Sequence, residues 1–246
     1  MSSSSEDILI IPSEPQHAEA MTRLMALVYD LEADGTNEIF TPEMYRHHIE
    51  VFPEGQFTAW HGGQIVGVTA AMRFSYDLDH PKIEPWWEAV GRGWLKHEPD
   101  GEWMYGVESH VHPDYQGRGV GGVLIEARFD TARLLNLRGM IAGSTLMSYA
   151  DHAHEAAPED YVRGVIDGRY FDGNLSKQIR KGLMPLDGAV IPNYVQDPTS
   201  LGWGSVVVWH NPDYNLDSNG RAHLRDELMP RRYTLPLRPA KGRSAV

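Results

Sequence analysis

Three observations predict a mixed α/β fold, with one sheet that combines antiparallel and parallel strands. Two strand-like runs flank Gly62-Gly63 in FTAWHGGQIVGVTAAMRFS, the signal for a tight hairpin. An apolar run from Trp103 to Val111 feeds a glycine-rich turn, an amphipathic helix and a further strand. The right-handed crossover rule makes the two strands of such a unit parallel. Helical periodicity recurs on either side of this unit, in stretches that begin at cap residues and end at glycines. With 246 residues the chain can bury a full core, as one large domain or one domain with an insertion.

Taken in order, Ile8 to Ile11 is a β-branched run suited to a buried strand. Ser13 and Pro15 open a helix that carries Met21, Leu24, Met25 and Val28 at helical spacing. Leu31 to Phe40 is polar, contains a glycine and reads as a loop. Thr41-Pro42-Glu43 is a second helix start, with Met44, His48, Ile49 and Phe52 on its apolar face. The hairpin follows. Residues 76–102 then break the pattern with proline, charge and three tryptophans, Trp86, Trp87 and Trp94, and read as an insertion or lid. Those tryptophans either pack the insertion onto the body or form an aromatic wall of an acceptor pocket.

The strand from Trp103 leads through the glycine turn to a helix from about Gly121 to Asn136, and Arg138 to Leu146 returns as a strand. Residues 148–157 are irregular and polar. Pro158 starts a helix closed by Gly168, and Asn174 caps a shorter one ended by Gly182. Strand signals follow at Ala189 to Val195 and Trp203 to Trp209, and Asp217 to Met229 can form a last helix. From Pro230 the chain is proline-rich and holds Arg231, Arg232, Arg238, Lys241 and Arg243 with no acid, the composition of a mobile or partner-wrapping arm. The division expected is a domain over 1–215 with the insertion at 76–102, then a helix and basic tail over 216–246.

Composition narrows the function classes. Content that is 41% apolar and 23% charged reads as soluble and globular. No apolar run approaches the roughly 20 residues a membrane span needs, and MSSSSED lacks a signal-peptide core. There is no cysteine, which excludes disulfides, thiolate nucleophiles and zinc–thiolate sites. A cytoplasmic location fits. The formal net charge of −12 argues against general nucleic-acid binding and favours cationic small ligands.

The glycine turn is the strongest signal. Backbone amides of Gln116, Gly117, Arg118, Gly119, Val120, Gly121 and Gly122 can converge on one anion, since glycines lack the Cβ atoms that block close approach. Gly117, Gly119 and Gly122 satisfy the dinucleotide pattern G-x-G-x-x-G. Gln116, Gly119 and Gly121 also satisfy Q/R-x-x-G-x-G/A, the pyrophosphate loop of acetyl-CoA-dependent N-acetyltransferases. A nicotinamide site wants an acid at the end of the next strand to bind the ribose. That strand ends at Leu146 without one, and a Walker loop lacks its Gly-Lys-Ser/Thr ending. A nucleotide-dependent oxidoreductase is therefore the weakest of the readings.

Val111-x-Pro113-x-Tyr115-Gln116-Gly117-x-Gly119-x-Gly121 resembles the central motif of the GNAT superfamily of N-acetyltransferases, and the order of elements over residues 8 to 212 matches. YVRGVIDGRYFDGNLSKQIRKGL and PNYVQDPTSLGWGSVVVWHNP are similar to acetyltransferase domains found fused to nitrilase-like carbon–nitrogen hydrolases. The resemblance implies a mostly antiparallel twisted sheet with helices on both faces and a parallel strand pair that splays at a bulge. It implies acetyl-CoA as acyl donor, coenzyme A as product, and a small-molecule or peptide amine as acceptor, attacked directly in a ternary complex. Backbone groups near Ser109 and Val111 would bond the pantetheine arm or thioester, and the amides of Gln116 to Gly121 would hold the pyrophosphate. Arg118 either adds charge there or points to solvent. The family's general-acid tyrosine is replaced by Gln178.

Strand alternation sets Glu108 and His110 on one face and Val107 and Ser109 on the other, unless a bulge resets the phase. Glu108 matches the family's region for the base that deprotonates the amine through water, with His110 the second candidate. Tyr149, Tyr161 and Tyr194 are stand-ins for the absent acid, with nothing in the sequence to choose among them. His110 and His112 alternate on the strand, but no third or fourth ligand is indicated, so no metal is expected. The loop with Asp151, His152, His154 and Glu155 either helps bind the acceptor or is solvated. A catalytically weak acyl-CoA-binding sensor or scaffold of the same fold is the alternative function. The last strands and basic tail are candidates for a homodimer contact.

Overall fold

The computed structural model describes residues 7–32, 37–216 and 232–239. Its centre is an eight-stranded sheet in the order β6-β7-β5-β4-β3-β2-β1-β8, formed by Asp7–Pro12 (β1), Phe57–His61 (β2), Gln64–Phe74 (β3), Trp103–Val111 (β4), Gly139–Thr145 (β5), Met184–Ile191 (β6), Gly204–His210 (β7) and Tyr233–Pro236 (β8). Every neighbouring pair is antiparallel except β4 with β5. The β2–β3 turn is the two-residue hairpin expected, with Gly62 at φ 56° and Gly63 at φ 79°. That pair of positive angles matches the right-handed strand twist, and side chains rarely adopt it.

Helices cover both faces. Ala18–Tyr29 (α1) and Pro42–Val51 (α2) lie on one, Val120–Leu134 (α4), Pro158–Ile166 (α5) and Leu175–Ile179 (α6) on the other. On the first face Met21, Leu24, Met25 and Tyr45 pack with Ala70, Met72 and Tyr105. On the second, Val120, Leu124 and Ala127 pack with Ile8, Ile10 and Phe57, while Phe129 stacks on Trp209 at 4.1 Å between centroids. Thr41 caps α2 by accepting a hydrogen bond from the Met44 N–H at 3.3 Å, as its sequence implied.

The insertion is docked onto the first face. It contains a short helix, Trp86–Ala89 (α3), whose Trp86 indole donates to the Val107 carbonyl at 2.8 Å. Trp86 and Trp87 both lie against Phe40, whereas Trp94 is exposed beside His47. Trp86 and Trp87 therefore pack the insertion onto the body.

The structure departs from the sequence expectations in three places. β6 starts at Met184 rather than Ala189, because Pro185 and the turn around Gly188 (φ 69°) disguise its first half as loop. Asn174 is the N-cap residue of α6 as expected, but its side chain makes no capping bond; Asp172 Oδ1 instead accepts from the N–H groups of Asn174 and Leu175 at 2.8 and 2.7 Å. Within the basic tail, Tyr233–Pro236 is not a loose arm but an edge strand paired with β1. The helix expected over Asp217 to Met229 lies outside the described residues, as do Arg231, Lys241 and Arg243. Among the described residues no helix is long and apolar enough to cross a membrane.

Candidate functional site

β4 and β5 pair only at Met104 with Met140 and at Tyr105 with Ile141. Beyond that point β5 stays with β7 and β4 with β3, so the two strands part and leave a wedge-shaped crevice. A bulge lies at the same level. Ala71 faces Gly106 and Ala70 faces Glu108, which makes Val107 the extra residue. The bulge resets the alternation: Val107 packs with α1 and α2, and Glu108 turns to the same side.

There Glu108 is 8% exposed and accepts a hydrogen bond from the Tyr45 hydroxyl at 2.7 Å. His110, 4% exposed, sets its Nδ1 3.2 Å from the second Glu108 oxygen, though the two are not oriented to hydrogen-bond. Its ring meets Tyr29 edge-on at 5.9 Å. The sequence expectation that Glu108 and His110 share a face is met, and Ser109 points the other way and is exposed. The Val111 carbonyl accepts from the Gln116 side chain at 3.2 Å, which closes the base of the following loop.

That loop ends in Gly119 at φ 95°, a left-handed N-cap for α4. The N–H of Gln116 is taken by the Pro113 carbonyl at 3.2 Å. Those of Gly117, Arg118, Gly119, Val120, Gly121 and Gly122 have no acceptor among the described residues. Six free donors at the positive end of a fifteen-residue helix form an anion cradle. Arg118 is held by backbone carbonyls. Its Nε donates to the Asp114 carbonyl at 2.9 Å and its Nη1 to the Arg238 carbonyl at 3.0 Å, tying the loop to the segment after β8.

The three tyrosines considered as proton donors separate clearly. Tyr149 donates to the Ala156 carbonyl and Tyr161 to buried Asp172, so both hold loops together. Tyr194 is 4% exposed and donates to the Gly143 carbonyl on β5 at 3.1 Å, with the Tyr105 hydroxyl 3.4 Å away. Burial, followed by the neighbouring Tyr105, raises the Tyr194 phenol well above its ordinary value. It also lines a cavity of about 830 Å³ bounded by Glu38, Trp87, Glu88 and Asp197. Trp87 of the insertion thus forms part of this cavity's wall. The polar loop after β5 pairs internally, His152 with Glu155 at 2.8 Å.

Sequence reasoning missed Tyr45, Tyr29 and Arg128. Tyr45 was readable, since 45, 48, 49 and 52 keep helical spacing better than Met44 does. Arg128 stands on the buried side of α4 one turn after Leu124, and an arginine on an apolar face is itself a signal.

The comparisons with known proteins come from several directions. The model of the Acetyltransferase (GNAT) family matches residues 25–156. "Probable hydrolase YhcX" of Bacillus subtilis (strain 168) is 36% identical over 68% of this chain, which spans only 32% of that protein's length. "Uncharacterized N-acetyltransferase YkwB" of the same organism is 32% identical over 73% of this chain and 79% of its own. Among solved structures, "GphF GNAT-like decarboxylase in complex with isobutyryl-CoA" superposes with a TM-score of 0.62 at 20% identity, covering 82% of this chain and 98% of that one. The matched family span contains the bulge, the crevice and the free loop amides together, and the chain belongs to the GNAT acetyltransferase family.

Proposed function

We propose that the protein is an acyl-CoA-dependent N-acyltransferase that acts on the amine of a small-molecule or peptide acceptor, with acetyl-CoA as the reference donor. The observation that carries this reading is the row of six unpaired N–H groups, Gly117 to Gly122, at the mouth of the β4–β5 crevice. A pyrophosphate satisfies those donors, and a crevice between two parted strands takes an extended arm whose amides need backbone partners. Bound acyl-CoA supplies an activated acyl carbon. Ser109, on the open side of β4, lies along the arm's course.

Glu108 is the base in this reading. Tyr45 holds one of its oxygens and leaves the other free to take a proton, directly or through water. His110 completes the pocket beside it. Tyr194 takes the place of the missing family tyrosine, because it joins the crevice at Gly143 to the large cavity that would admit the acceptor. Like any phenol it is protonated at neutral pH, the form an acid needs, and the raised pKa makes it a weaker donor than an exposed tyrosine. The carboxylates of Glu38, Glu88 and Asp197 around that cavity favour a cationic amine. The sheet edge at β6 is where a second copy would pair in a homodimer.

Calorimetry with CoA, acetyl-CoA and NAD tests the cofactor, and binding of neither CoA species would overturn the reading. Release of free thiol from acetyl-CoA with a panel of amines tests the reaction. Tight binding without turnover on any amine would favour the sensor or scaffold instead.

A further inference from the structure

Arg128 is 4% exposed, and none of its donors has an acceptor among the described residues. Its Nε is fully enclosed, while its terminal nitrogens border open space. Burial lowers its pKa to about 10, with Glu108 opposing the shift, so the side chain is still a cation at neutral pH. A buried guanidinium whose enclosed Nε–H meets no acceptor is costly, and native proteins remove the cost by pairing it. Glu108 lies within electrostatic range but makes no hydrogen bond to Arg128, and its side chain turns to Tyr45 on the other face of the sheet.

The position of Arg128 says which ligand would do the pairing. A Cβ at Gly106 would come within 2.8 Å of its Nη1, and 3.2 Å from the Ala142 methyl. Gly106 and Ala142 are the first residues of β4 and β5 beyond their last paired neighbours, so the guanidinium sits at the apex of the crevice. The absent side chain of Gly106 leaves room for it. Along α4 the rise from Val120 to Arg128 is about 12 Å. A donor with its pyrophosphate on the loop and its arm in the crevice therefore brings its acyl end toward Arg128. The acceptor cavity, lined by Trp87 and Tyr194, lies on the opposite face.

Resting on the acyl-CoA reading above, we propose that the preferred donor is an acyl-CoA whose acyl group ends in a carboxylate, the half-thioester of a dicarboxylic acid, with Arg128 as its counter-ion. A plain acetyl group fills the same crevice but leaves the buried charge unpaired. A carboxylate meets two donors of the planar guanidinium at once and neutralises it.

Titration calorimetry of the full chain with acetyl-, propionyl-, malonyl- and succinyl-CoA tests this. Malonyl- or succinyl-CoA is expected to bind at least about 10-fold more tightly than acetyl-CoA, the scale of one charge-assisted pair. In Arg128→Met that preference should vanish, and Arg128→Lys should keep part of it. Acetyl-CoA binding as tightly as both carboxylated donors would overturn the proposal, and so would a preference that survives Arg128→Met. Should Arg128→Met fail to fold, as its thermal unfolding would reveal, the wild-type ranking and Arg128→Lys decide. Failure of every CoA thioester to bind would instead sink the acyl-CoA reading itself.

Discussion

Glu108 owes its place to one extra residue, Val107, which turns two successive side chains of β4 toward α1 and α2. Glu108→Gln keeps the shape and the acceptor for the Tyr45 hydroxyl but cannot take a proton. We expect kcat to fall by about 10²-fold or more, with a far smaller change in the dissociation constant of acyl-CoA. Turnover equal to wild type would transfer the base role to His110. Tyr194→Phe removes a hydroxyl that donates to Gly143, worth about 1 kcal/mol of stability, and with it the proton at the crevice. The expected result is a loss of about 10²-fold in thiol release. An unchanged rate would show that the leaving thiolate finds its proton elsewhere. Glu108 was legible in the sequence because it lies on a strand whose neighbours are named by the loop motif. Tyr194 was not, because it reaches β5 from a distant turn, and no spacing along the chain encodes that contact.

At the scale of elements, α2 holds the insertion through His48. Its Nε2–H donates to the Gly93 carbonyl at 2.7 Å, while its Nδ1 is buried without a partner. Burial lowers its pKa to about 4, with the Gly93 carbonyl and Glu108 opposing the shift. The folded protein thus resists protonating a group that the unfolded chain protonates near pH 6.5. This contribution is complete above pH 6.5 and is lost as the pH falls toward 4. It amounts to about 3 kcal/mol. Urea unfolding followed from pH 7 to 4 should show that loss, and His48→Gln, which can still donate to Gly93 but does not titrate, should flatten it. A wild-type curve no steeper than the variant's would contradict the assignment. The same element explains a failure of sequence reading. The insertion's proline and charge advertise a loop, but what docks it is a histidine on another element and the indole of Trp86 bonded to the bulge carbonyl.

Over the whole molecule, the hairpin, the order of elements along the chain and the parallel pair were legible because the hairpin glycines, the loop motif and the crossover rule each restrict the topology independently. The eighth strand was hidden by its composition: four residues ending in proline, set among arginines, look like a tail. Those are also the features of an edge strand, where proline and positive charge discourage further pairing. β8 covers the β1 edge and lays Leu235 on Val120 and Leu124, and Arg118 bonds the Arg238 carbonyl beside the free loop amides. Burial of Leu235 contributes about 2 kcal/mol, and the bond from Tyr233 to Asp130, 2.8 Å long, adds to it. Leu235→Asp forces a charge into that contact and should release the strand. We expect three linked changes: a lower melting temperature, self-association by sedimentation as the β1 edge is uncovered, and weaker CoA binding as the loop loses its support at Arg118. Arg118→Ala cuts only the last link, so it should weaken CoA binding while the protein stays monodisperse. If Leu235→Asp lowers the melting temperature but leaves CoA affinity untouched, β8 closes the sheet without bracing the anion cradle.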